Sequence, residues 1–80
     1  MARRRKNISG EQIAGARRRC RPPMTQLDLS RKVKRFGVEL DRAAIAKIEN
    51  GIRGVLDFEL VALSKALRVP MARLVKAKRK

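Results

Sequence analysis

Apolar residues recur at three- and four-residue spacings from Ile13 to Val75 and never alternate with polar ones over a strand's length, so the chain reads as all-α. Five helical segments separate along it. The first opens at Ser9 with Gln12 three residues on, the spacing of a capping box. It carries Ile13, Ala16 and Cys20 at helical spacing and must stop before Pro22-Pro23. The second has Thr25 as N-cap, Asp28 at the matching position, and Met24 placed to staple onto Leu29. Leu29, Val33 and Phe36 fall on one face, so this helix is expected to run to about Phe36, where Gly37 ends it. Asp41 caps a third helix from Arg42 to about Asn50, with Ile45 and Ile48 on its apolar side and Asn50-Gly51 tolerating the left-handed conformation at its end. Asp57 is read as the N-cap of a fourth, from Phe58 to about Arg68. Leu60, Val61, Leu63 and Leu67 make it apolar on more than one side, as in a central helix or one with a flank left for a partner subunit. Pro70 suits the first turn of a fifth, carrying Met71, Leu74 and Val75.

The ends differ from this middle. Arg3-Arg4-Arg5-Lys6 is a like-charge run too repulsive to fold alone, so residues 1–7 are expected to be a flexible basic arm. Residues 8–76 then form one folded domain and 77–80 a short basic tail. Eighty residues leave room for one domain near the lower size limit.

Charge narrows the partner. Twenty-two Lys and Arg against seven acids give a net charge of +15, which favours a polyanion and strongly salt-dependent binding. Phe36 and Phe58 are the only aromatic residues, so stacking on bases is not an expected mode. The single cysteine, Cys20, and the lack of histidine rule out an intrachain disulfide and argue against zinc. There is no acidic metal-ligand pattern and no Gly-rich phosphate loop after a strand, and Ser9, Ser30 and Ser64 look like cap or helix-surface residues. An enzyme, a cofactor and a small-molecule ligand are therefore not expected. Neither a run of spanning length nor a secretory signal is evident, which makes the expected location cytoplasmic, away from membranes.

The third helix is the candidate for contact. Arg42 and Lys47 lie about 140° apart around it, with Ala43 and Ala46 between them on the side away from the isoleucines. A small, positively charged face suits a DNA major groove.

Thr25-Gln26 with Leu29, then Ile45 with Lys47-Ile48-Glu49-Asn50-Gly51 and Arg53, then Leu60 through Leu67-Arg68-Val69, stand in one order. From about Ile13 to Val75 the chain resembles the phage-repressor-like helix-turn-helix family, the Cro/cI or XRE class. The resemblance implies a compact five-helix, lambda-repressor-like domain that regulates transcription as a homodimer on double-stranded DNA, most simply as a repressor. It implies base contacts from Arg42, Ala43, Ala46 and Lys47, although either cation could equally serve a phosphate. Phosphate contacts would come from Thr25 and Gln26 at the start of the second helix, and from Asn50 and Arg53 at the end of the third. Arg3, Arg4, Arg5 and Lys6 would follow the backbone or enter the minor groove. Glu49 would brace the motif against an arginine of the first helix: Arg17 stands at the family position, and Arg19 is the alternative.

One departure bears on the geometry. Gln26 to Glu49 is roughly five residues longer than in the compact motif, whose turn is about three to four residues. The extra length goes either to another turn of the second helix or to an enlarged loop. Two other readings stand beside a specific regulator: a largely non-specific nucleic-acid binder, and an antitoxin-like module with a protein partner.

Overall fold

The computed structural model describes residues 6–75 as five helices: α1 (Gly10–Arg19), α2 (Gln26–Lys34), α3 (Arg42–Glu49), α4 (Asp57–Leu67) and α5 (Met71–Leu74). No strand occurs among the described residues. The core gathers Ile13 and Ala16 of α1, Leu29 and Val33 of α2, Ile45 and Ile48 of α3, Leu63 and Leu67 of α4, and Leu74 of α5. Complete burial of a Leu or Ile side chain contributes about 1.5–3 kcal/mol, so the two isoleucines alone hold α3 firmly by its inner face. The fourth helix is the centre of the packing, lying against α1, α2 and α5.

Local chemistry sets the ends. The expected capping box on α2 is present: Thr25 Oγ1 accepts from the Asp28 amide at 3.0 Å, and Asp28 Oδ2 accepts from the Thr25 amide at 3.1 Å. Asp41 Oδ1 caps α3 through the Ala44 amide at 2.7 Å. Two other starts differ from expectation. At α1 the Ser9 side chain makes no cap bond, and Asn7 Oδ1 takes the Gly10 amide at 2.7 Å instead. At α4 the N-cap position falls on Leu56, with Asp57 already inside the helix. A leucine side chain cannot cap, so Glu59 reaches back and accepts from the Leu56 amide at 3.0 Å.

Three helices finish alike. Val38 and Gly37 amides donate to the Val33 and Lys34 carbonyls after α2; Ile52 and Gly51 donate to Lys47 and Ile48 after α3; Val69 and Arg68 donate to Ser64 and Lys65 after α4. Each pair is a Schellman closure, which needs a left-handed residue. Gly37 and Gly51 supply it at φ +82° and +75°, and at α4 it is Arg68 at φ 58°.

These closures resolve the extra length before α3. Its residues go to the connector, since α2 stops at Lys34 rather than near Phe36. With the chain turned at Gly37, Val38 and Leu40 point into the core, while Phe36, expected inside, is left 46% exposed. The connector is therefore part of the core.

The expected arm also ends sooner than residue 7. Lys6 donates its amide to the Gly51 carbonyl at 2.8 Å, and Asn7 Nδ2 donates to the carbonyls of Ile48 and Arg53. This docking pairs the Gly51 and Arg53 carbonyls just past the exit of α3, adds a second donor to the Ile48 carbonyl, and draws Lys6 and Asn7 into the domain. Arg3, Arg4 and Arg5, and the tail at 77–80, lie outside the described residues.

Candidate nucleic-acid interface

One side of α3 is sealed by Ile45, Ile48 and Glu49, and the opposite side is open. Arg42, Ala43, Lys47 and Asn50 are exposed and Ala46 is half-buried between them. At about 100° per residue these five cover one continuous face, with Arg42 and Lys47 at its edges and the alanine methyls in the middle. No side chain longer than alanine's stands between the two cations, apart from Asn50 at the helix end. Two concave surfaces flank this face. Thr25, Gln26 and Leu27 of α2 line the first with Arg42, Ala43 and Ala46, and Lys6, Ile52 and Arg53 line the second with Ala43 and Lys47.

The far end of α3 is held by a buried carboxylate. Arg17 Nε donates to Glu49 Oε2 at 2.8 Å and Arg17 Nη2 to Glu49 Oε1 at 3.0 Å, a two-pronged grip, so the brace uses Arg17 and not Arg19. The remaining prong, Nη1, donates to the Met24 carbonyl at 2.9 Å just before α2. Gln26 Nε2 adds a donation to Glu49 Oε1 at 3.0 Å. One acid thus ties α1, the entry of α2 and the exit of α3 together. The hydrogen bond to Glu49 raises the Arg17 pKa against the opposing effect of burial, so the guanidinium stays charged at every ordinary pH.

Gln26, expected as a phosphate ligand, thus has a structural bond as well. One N–H of its side-chain amide serves the brace, while the exposed Thr25 beside it uses its hydroxyl to accept the Asp28 amide in the cap of α2. Sequence reasoning missed this second role because a residue at the first helical position looks solvent-bound unless its tertiary neighbour is known.

Arg53 is likewise not simply a free phosphate ligand. Its Nη1 and Nη2 donate to Glu59 Oε1 and Oε2, both at 2.9 Å, and Nη1 also reaches the Gly54 carbonyl at 2.9 Å. The Arg53 guanidinium beside it holds the buried Glu59 carboxyl below the usual carboxylate range, with help from the Leu56 amide. The available signal was an acid three residues after Leu56, at the third position of a largely apolar helix. Asp57, the more conventional cap, hid it.

A helix-turn-helix family model matches residues 18–74. The chain belongs to the helix-turn-helix family. The P22 c2 repressor, whose crystal structure was determined in complex with the synthetic operator 9T in the presence of Tl+, is similar in structure with a TM-score of 0.70. The two are 29% identical, and the match covers 90% of this chain and 98% of that one. No curated protein matches.

In helix-turn-helix terms, α2 and α3 are the paired helices and α3 is the recognition helix. The fold collects Arg42, Ala43, Ala46, Lys47 and Asn50 on one face, with Thr25 and Gln26 beside them. It assigns Arg17 and Glu49 to the frame behind that face. Lys6 is the member of the expected arm that lies within the described residues, and it stands at the recognition-helix side of the domain.

Proposed function

We infer that this protein is a sequence-specific double-stranded DNA-binding regulator of the repressor type, which inserts α3 into the major groove. The observation that carries this reading is the single open face of α3, small and doubly basic, on a helix clamped at its exit. Arg42 and Lys47 donate to guanine O6 and N7, the methyls of Ala43 and Ala46 meet thymine methyls, and the entry of α2 and Asn50 lie on phosphates. The likeness to a repressor solved in complex with operator DNA supports DNA as the partner. Its setting is the cytoplasm, on the DNA. No helix among the described residues is long and apolar enough to cross a membrane.

Binding is as a homodimer on a two-fold site. Leu56 and Phe58, 54% and 62% exposed where α4 begins, are apolar side chains that a second copy would cover. Selection of bound sequences from a random DNA pool tests this. A palindromic consensus is the expected result; recovery of unrelated sequences contradicts base reading, and a non-repeated consensus contradicts the dimer.

A further inference from the structure

The segment that leaves α1, one side of α2 and the end of α4 enclose a further concave surface, to which α3 contributes no residue. Its floor is apolar: Leu67 is buried there, Met24 is half-buried, and Pro22-Pro23 form an exposed wall. Around the floor stand Arg21, Arg31, Lys32, Arg35 and Arg68, all exposed except the half-buried Lys32. Asp28, Arg31, Lys32 and Arg35 share one side of α2, since they lie at i, i+3, i+4 and i+7. Asp28 is the acid on this lining; it already caps α2, and its charge attracts Arg31. No ion pair or side-chain hydrogen bond among the described residues ties down the other four cations. Like charges gathered round an apolar floor repel one another and favour an anionic partner. Arg68 adds a second sign. Where α2 and α3 end on left-handed glycines, α4 ends on an arginine at φ 58°. A side chain there costs backbone energy that glycine avoids, and this one brings a guanidinium to the rim.

We propose that this hollow docks an acidic peptide segment of a partner protein, with a bulky apolar residue on Leu67 and Met24 and carboxylates on the rim. The apolar floor favours a peptide over a nucleic-acid backbone, whose phosphates would use the cations alone. A second copy of this chain offers no matching acidic cluster. Of its seven acids, Asp28 and Asp41 cap helices, Glu49 and Glu59 pair with Arg17 and Arg53, and Glu11, Glu39 and Asp57 belong to three separate segments. The hollow shares only Pro23 and Met24 with the concave surface between α2 and α3, so it stays open while α3 lies on DNA. That simultaneity rests on the reading of α3 as the DNA-contacting helix; the chemistry of the hollow does not.

The test uses the full chain, both free and saturated with a selected duplex. The probe is a short synthetic peptide of Asp and Glu around one Leu, compared with the same peptide carrying Ser in place of Leu. Cys20, the single cysteine, lines the hollow and reports its occupancy through the rate of alkylation. The leucine peptide is expected to bind both forms of the protein and to slow alkylation. The serine peptide is expected to bind about tenfold more weakly, the low end of what burying a leucine contributes. Arg35→Gln and Arg68→Gly should each weaken the leucine peptide about threefold to fivefold and leave affinity for the selected duplex unchanged. Arg68→Gly should do so while raising Tm, so that its loss of peptide binding cannot come from a damaged fold. Equal binding of the two peptides would overturn the proposal, because the rim would then attract any anion. Leucine-peptide binding that leaves Cys20 alkylation at its free rate, or that neither rim variant weakens, would overturn it as well. If a non-cognate duplex binds the saturated protein and slows alkylation where the peptide does not, the hollow is a second DNA surface and the proposal falls. Failure of the α3 reading shows separately, as the lack of a selected duplex, and the free protein then still decides the peptide site.

Discussion

Two arginine–carboxylate forks flank the recognition helix, and they perform different tasks with the same chemistry. Arg17 and Glu49 are 32 residues apart, with side chains 12% and 5% exposed, and they join three helices. Arg53 and Glu59 are six residues apart; the acid is 6% exposed but the arginine is 33% exposed, and the pair closes one loop onto the start of α4. The first is a tertiary lock that fixes the angle between α1, α2 and α3. The second is a local staple whose loop also presents the Arg53 carbonyl to Asn7. Distance along the chain and exposure, rather than the type of ion pair, decide which fork the fold depends on.

The largest effect is therefore expected at the lock. Arg17→Ala removes the charged partner of the buried Glu49 and leaves it the Gln26 amide, and should cost about 3 kcal/mol in denaturant unfolding, a large part of the stability of a domain this size. Arg17→Lys loses the two-pronged geometry and should fall between alanine and wild type. At the staple, where solvent screens the arginine, Arg53→Ala should cost less, about 1–3 kcal/mol. Equal losses at the two sites would break the distinction drawn between them.

On DNA, Arg42→Ala or Lys47→Ala should cost about 1–3 kcal/mol at a cognate site and relax preference at one base position. A loss of equal size on every sequence would make the residue a phosphate contact. Acid sharpens the comparison differently. Glu59 has its pKa depressed in the folded state, so its contribution is present above the unfolded carboxylate value near about 4.3 and is lost as pH falls through the folded value. The stability gap between wild type and Glu59→Gln should therefore be widest near neutrality and close progressively below about pH 4. A gap that does not change with pH would show that the charge on Glu59 is not what the loop uses. The smallest effect is expected at Arg68, which neither fork touches: Arg68→Gly relieves a left-handed side-chain residue and should add up to about 1 kcal/mol, read as a rise in Tm.

The lock was legible in the sequence and the staple was not. Glu49 and its arginine came from family order, and the isoleucine spacing had already turned Glu49's side of α3 inward. Arg53–Glu59 left no such trace, because Asp57 offers a conventional cap one residue away and shifts the reading of α4 by one position. Phe36 was misplaced for a related reason: periodicity carries a helix forward until something stops it, and the closure at Gly37 works one turn earlier than the glycine itself suggests. The docking of Lys6 and Asn7 was hidden by the charge run, since composition describes a segment's solubility and not the carbonyls waiting for its amides. The exposed face of α3 needed only the period of the helix and the capping residue Asp41.

The central claim is that this face reads sequence. The most direct measurement is the ratio of affinities for a selected duplex and for random DNA at one fixed salt concentration. A ratio above about 10³ is the result predicted for a specific regulator, and a ratio near unity would contradict it.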